Sequence, residues 1–177
     1  MLEGLKNLLR KSSLKKYASA TPTGILPLEK IRSAVVLLDV EDTSFDTCKN
    51  DIMVFFRERG IKVDIYFVDF RKLTEGERLI TSITGTVLKK DLNWFGRPSK
   101  EKIAQLIEPE PDMLISLFQK SDFPIEFMVK VSRARFKIGR EQLPGDPFDL
   151  VIKDPADKQY SEAELFREIV KFFSKIR

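Results

Sequence analysis

The stretch from Pro111 to Arg140 restricts the possible folds more than any other part of the chain. Its first part, Met113 to Leu117, is an apolar run long enough for a buried strand and too short for a helix. Pro111 stops a helix from entering it. Phe123, Phe127, Met128 and Val131 then recur at helical intervals up to Arg133, with Asp122 at an N-cap position and Pro124 in the first turn. Ala134 to Arg140 supplies a second strand. Strands joined by such a helix are parallel neighbours, and ligands of open parallel sheets sit outside the carboxyl ends of the strands. Any site is therefore expected near Phe118 to Asp122.

The same pattern occurs upstream. Ile31 to Val40 contains the uninterrupted run Ala34-Val-Val-Leu-Leu38, the mark of a strand covered on both faces, and it is expected at the centre of the sheet. Thr43 or Ser44 caps a helix from Phe45 to Arg59 that buries Ile52, Val54, Phe55 and Phe56, and Gly60 ends it. Ile61 to Phe70 is the next strand. Two β-α-β units set the fold class: α/β, a three-layer, mostly parallel open sheet of Rossmann-like or flavodoxin-like type, flanked by helices. Between the units, Thr74 to Ser82 reads as a helical turn, Thr84 to Lys89 has strand character, Asp91 to Pro98 is a turn, and Ser99 caps a helix to Ile107. Phe148 to Lys153 is a last strand. A capping box of Ser161 and Glu164 then opens a helix bearing Leu165, Phe166, Ile169, Val170, Phe173 and Ile176.

Residues 2 to 17 form an N-terminal amphipathic helix, with Leu2, Leu5, Leu8, Leu9 and Leu14 set among basic residues. Pro22, Gly24 and Pro27 mark a linker after it, so the expected division is a basic arm and linker over 1–28 and a single α/β domain over 29–177. Charge follows the same division. Of 31 basic and 27 acidic residues, residues 1–20 hold five basic against Glu3 alone, which leaves 26 of each sign in the rest. A neutral domain has no footprint for a phosphate backbone, so no nucleic acid is expected on it. The arm suits an anionic membrane surface or an acidic protein partner, or a helix folded back on the domain.

Histidine is absent, which removes His-based general bases, Ser-His triads and His-containing zinc sites. Cys48 is the single cysteine, no secretory segment is visible, and the cytoplasm is the expected compartment. Cys48 falls inside a helix and reads as a packed thiol. None of the glycine-rich phosphate loops or nucleophile elbows occurs, so no cofactor or metal is called for. Asp39, Glu41 and Asp42 follow the central strand, where doubly wound enzymes place working carboxylates. Acidic residues also favour a helix start through its dipole. Asn93, Trp94 and Arg97 make the most unusual loop; Trp94 either contacts a ligand or plugs the end of the core. Arg133, Arg135, Lys137 and Arg140 read as a solvated sheet edge.

Pro111 to Phe118 with Ser132 to Gly139 resembles the strand, helix and Ala-x-x-x-Ile-Gly pattern in the N-terminal half of heptosyltransferase-type glycosyltransferases. That family's Gly-Asp after the first strand is missing here, Asp39 being preceded by Leu38, and no donor-binding second domain is expected within these 177 residues. The resemblance implies a shared half-fold without the machinery for a sugar nucleotide. Asp91 to Pro98, Lys137 to Gly139 and Phe148 to Lys153 resemble a group of uncharacterised Bacteroidetes proteins, which implies a bacterial, cytoplasmic origin and no activity. Two functions follow. One is a ligand- or partner-binding module; the other is a minimal or degenerate transferase, which would gather Asp39, Glu41, Asp42 and the Trp94 loop with Gln119 and Asp122 around one pocket.

Overall fold

The computed structural model describes residues 1–72 and 85–176. The helical turn expected at Thr74 to Ser82 lies outside them. Strands β1 (Ser33–Asp39), β2 (Lys62–Asp69), β3 (Thr86–Leu88), β4 (Met113–Ser116), β5 (Phe136–Gly139) and β6 (Leu150–Val151) form one sheet in the order β3-β2-β1-β4-β5-β6. Every neighbouring pair is parallel. β1 is central, as the unbroken apolar run implies, and pairs Leu38 with Phe67 and Leu37 with Ser116.

Alternation along the strands divides the core into two layers. Val36, Leu38, Ile115 and Leu117 face helices α2 (Phe45–Glu58) and α5 (Glu162–Phe173), meeting Ile52, Phe56, Leu165 and Phe166. Val35, Leu37, Tyr66 and Leu114 face α3 (Ala104–Ile107) and α4 (Phe123–Val131), meeting Leu106, Phe123, Phe127 and Met128. The three-layer α/β arrangement is thus built by the sequence patterns that announce it. Helix α1 (Leu2–Tyr17) lies on the α4 side, where Leu9, Leu14 and Tyr17 pack on the core. The chain after it is held as well, Ser19 N–H donating to the Lys130 carbonyl at 2.8 Å and Gly24 N–H to that of Arg135 at 2.9 Å. No helix among the described residues is long and apolar enough to cross a membrane.

Several local expectations need correction. The helix expected from Ser99 is α-helical only over Ala104–Ile107; Ser99 instead donates its N–H to the Asp91 carbonyl at 2.9 Å, closing the preceding turn. The last strand keeps two residues, Leu150–Val151, and the Phe148 ring ahead of it lies against Gly139. The C-terminal helix stops at Phe173, short of Ile176. The basic cluster is solvated only in part: Arg133 and Arg135 are exposed, but with β6 paired beyond it β5 is interior, and both Lys137 and Arg140 are buried. Lys137 Nζ donates to the Val129 carbonyl at 2.7 Å, and Arg140 forks onto Asp154 at 2.8 and 2.7 Å while also reaching the Tyr160 carbonyl. Nor does Trp94 plug the core. It is 54% exposed, and its neighbour Phe95 enters instead.

Candidate ligand cleft

Chain order reverses between β1 and β4, since the crossovers from β1 run outward through β2 to β3 and the chain then returns to the other side of β1. The loops leaving β1 and β4 therefore diverge and leave a crevice at the carboxyl edge, the topological switch point of such sheets. A cleft of about 250 Å³ lies there. Asp39 and Glu41 line it from the β1 loop, and Gln119, Lys120 and Asp122 from the β4 loop. Val68, Phe70, Phe118 and Ile125 form its apolar wall.

Asp39 is half-buried and accepts the Glu41 N–H on Oδ1 at 2.9 Å, an Asx-type turn that directs the loop outward. Burial pushes its carboxyl above the usual range; the Glu41 N–H opposes this, and the charges of Glu41, Asp42 and Asp69 add to it. Asp69, buried at the end of β2, is gripped by Arg71 through Nε at 2.9 Å and a second guanidinium nitrogen at 3.0 Å. Asp42 is committed elsewhere. Its Oδ1 accepts the Ser44 N–H at 2.8 Å and hydroxyl at 2.6 Å, and its Oδ2 accepts the Glu162 N–H at 3.3 Å. Ser44 Oγ in turn accepts the Ala163 N–H at 3.0 Å, so this loop clamps the first turn of α5.

Beneath the clamp lies a group that the sequence reading missed. Glu162 is 1% exposed, and its Oε1 accepts the Asp39 N–H at 2.7 Å. Its Oε2 has no hydrogen-bond partner among the described residues. Burial raises this carboxyl to about 9, with Asp42 and Asp39 adding to the shift and the Asp39 N–H and Arg140 opposing it. The protonated form therefore prevails at neutral pH. A signal was present: Glu162 lies three, four and seven residues before Leu165, Phe166 and Ile169, on the core stripe of α5. Lys137 was missed too; burial lowers its ammonium to about 8 against the pull of Asp149. Cys48 is buried and free, and burial raises its thiol, as befits a packed residue.

Asn93, Trp94 and Arg97 do not line this cleft. Asn93 Oδ1 accepts the Phe95 and Arg97 N–H groups at 3.2 and 2.9 Å around Gly96, whose φ of 94° suits glycine. Arg97 donates to Ser13 Oγ at 3.3 Å and stands 5.2 Å from the centre of the Tyr17 ring, so this loop belongs to the α1 surface. Among the eight candidates, Asp39, Glu41, Gln119 and Asp122 share the cleft, while Asp42, Asn93, Trp94 and Arg97 lie outside its lining.

The β1 loop carries carboxylates where a dinucleotide-binding protein carries glycines, and Asp46 adds another charge in the first turn of α2. Negative charge there opposes a pyrophosphate at the helix N-terminus. Among the described residues no group of three acidic or sulfur side chains is placed to hold a metal ion. Over residues 4–176 the chain matches the family described as "Family of unknown function (DUF6913)", and it belongs to that family. No curated protein and no solved structure matches it.

Proposed function

We propose that this domain is a binding module that takes a small cationic or polyhydroxyl ligand in the switch-point cleft. One observation carries the reading: among the described residues three carboxylates, Asp39, Glu41 and Asp122, line one cleft with a single ammonium, Lys120, beside the rings of Phe70 and Phe118. An excess of carboxylates favours an amine or a hydroxyl donor, and aromatic walls favour the carbon skeleton between such groups. The rival, a minimal glycosyltransferase-like enzyme, rests on the half-fold resemblance. It asks the same acidic cleft to hold a sugar nucleotide, whose phosphates the carboxylates oppose. The bacterial and cytoplasmic setting belongs to the proposal as well.

Thermal shift against polyamines, amino sugars, neutral sugars and sugar nucleotides separates the readings. A ligand at a hundred times its Kd adds about 2.7 kcal/mol of stability, or roughly 5–10 °C for a chain of this size. The expected hits are amines or polyols, lost on Asp39→Asn with Glu41→Gln. A shift by sugar nucleotides alone would favour the transferase.

A further inference from the structure

Helix α1 uses one side to pack and leaves another uncovered. Leu9, Ser13, Leu14 and Tyr17 face the α4 layer, whereas Leu2, Leu5 and Leu8, three residues apart on adjoining turns, stand between 47% and 64% exposed. Single exposed leucines are ordinary on a protein surface; a contiguous row is not. Beside α1 runs the Asn93 to Lys100 loop, fastened by Arg10 Nε donating to the Phe95 carbonyl at 2.8 Å, and this loop carries the exposed indole of Trp94.

The charges of this surface are mostly positive. Glu3 is engaged by Lys6 at 3.8 Å and Arg10 at 3.5 Å. Lys11, Lys15 and Lys16 are exposed, and no carboxylate pairs with them among the described residues. Arg97 and Lys100 extend the row, each 5.2 Å from the centre of the Tyr17 ring. A small apolar recess of about 100 Å³ beside Tyr17 and Phe127, with Arg97 and Lys100 in its lining, adjoins the same helix.

We propose that α1 and the loop bonded to it form a docking face for an anionic lipid bilayer. Aliphatic side chains and an indole enter the headgroup boundary while lysines and arginine meet anionic headgroups, the combination by which interfacial helices bind. Charge selects this occupant over a second copy of the chain, because two such faces would oppose like-charged rows. It is favoured over nucleic acid because leucines do not stack on bases. Docking needs no release of α1 from the domain, since the outer face is already uncovered.

The test uses the full chain with vesicles of phosphatidylcholine alone and with phosphatidylserine added, at low and near-physiological salt. Trp94, the single tryptophan, reports contact by its emission. Expected are sedimentation with the anionic vesicles only, weakened by salt, and a blue shift of Trp94 emission. Each exposed lysine near the surface is worth roughly a fivefold change in partitioning, so Lys11→Gln with Lys15→Gln should lower it roughly 25-fold. Leu5→Ser with Leu8→Ser should abolish the blue shift. All four positions are exposed, and an unchanged melting temperature verifies the fold of each variant. No binding to anionic vesicles at low salt overturns the proposal, as does binding that both variants retain in full. Self-association or single-stranded nucleic-acid binding that depends on Leu5 and Leu8 without vesicle binding overturns it too.

Discussion

Replacing Glu162 by glutamine should stabilise the protein increasingly, relative to the parent, as pH rises. Glutamine keeps the carbonyl that accepts the Asp39 N–H at 2.7 Å and cannot ionise. The carboxyl ordinarily ionises near 4.5 and is raised to about 9 in the fold, so between these values the unfolded chain has released a proton that the native state retains. Stability then falls with rising pH. The contribution is fully present below pH 4.5, where both states are protonated, and is lost through the window up to 9. At about 1.4 kcal/mol per pH unit, the parent has lost about 3 kcal/mol by pH 7 and about 6 by pH 9. The glutamine variant is spared this loss.

Urea denaturation of both proteins at pH 4, 5.5, 7 and 9 measures the difference in stability. Other carboxylates titrate in both, so the difference curve isolates Glu162. Whatever fixed offset the unpartnered amide NH2 adds at the Oε2 position, the difference should move in the variant's favour by about 3 kcal/mol between pH 4 and pH 7. A difference independent of pH refutes the argument. A variant that grows progressively less stable than the parent toward pH 9 also refutes it, because Glu162 would then be ionised and held by Arg140.

Gly139→Ala should destabilise by about 1–3 kcal/mol, since a Cβ there would lie 2.4–2.6 Å from three carbons of the Phe148 ring; calorimetry reads the cost, and Phe148→Leu should restore much of it. Trp94→Ala should change stability by no more than about 0.5 kcal/mol, while Phe95→Ala, at a buried ring next door, should cost about 3 kcal/mol by denaturant unfolding. Equal costs at the two positions would show that the exposed and buried rings have been misassigned.

The fold was legible where a local pattern coincides with a tertiary one. A strand buried on both faces must be apolar at consecutive positions, and Ala34 to Leu38 and Met113 to Leu117 are. The row from Leu165 to Phe173 can only be one face of a packed helix. What stayed hidden depends on distant partners. Whether β5 is an edge is decided by the two residues Leu150 and Val151, and with that pairing Lys137 and Arg140 become interior. Which member of the pair Trp94-Phe95 enters the core depends on the turn at Gly96 and on Phe123 and Pro124 beneath it. Asp39, Glu41, Gln119 and Asp122 could be named because strand topology dictates where loops end. The spending of Asp42 on α5 could not, since the contact spans 120 residues of sequence.

The binding reading is tested most directly by amide NMR of the labelled protein titrated with an amine or polyol that raises its melting temperature. The expected shift changes cluster on the β1 and β4 loops, at Asp39 to Glu41 and Phe118 to Asp122, and vanish with Asp39→Asn and Glu41→Gln. Changes confined to the Asn93 to Lys100 loop, or to the groove between α2 and α5 around Val54 and Val170, would place the ligand elsewhere and contradict the switch-point account.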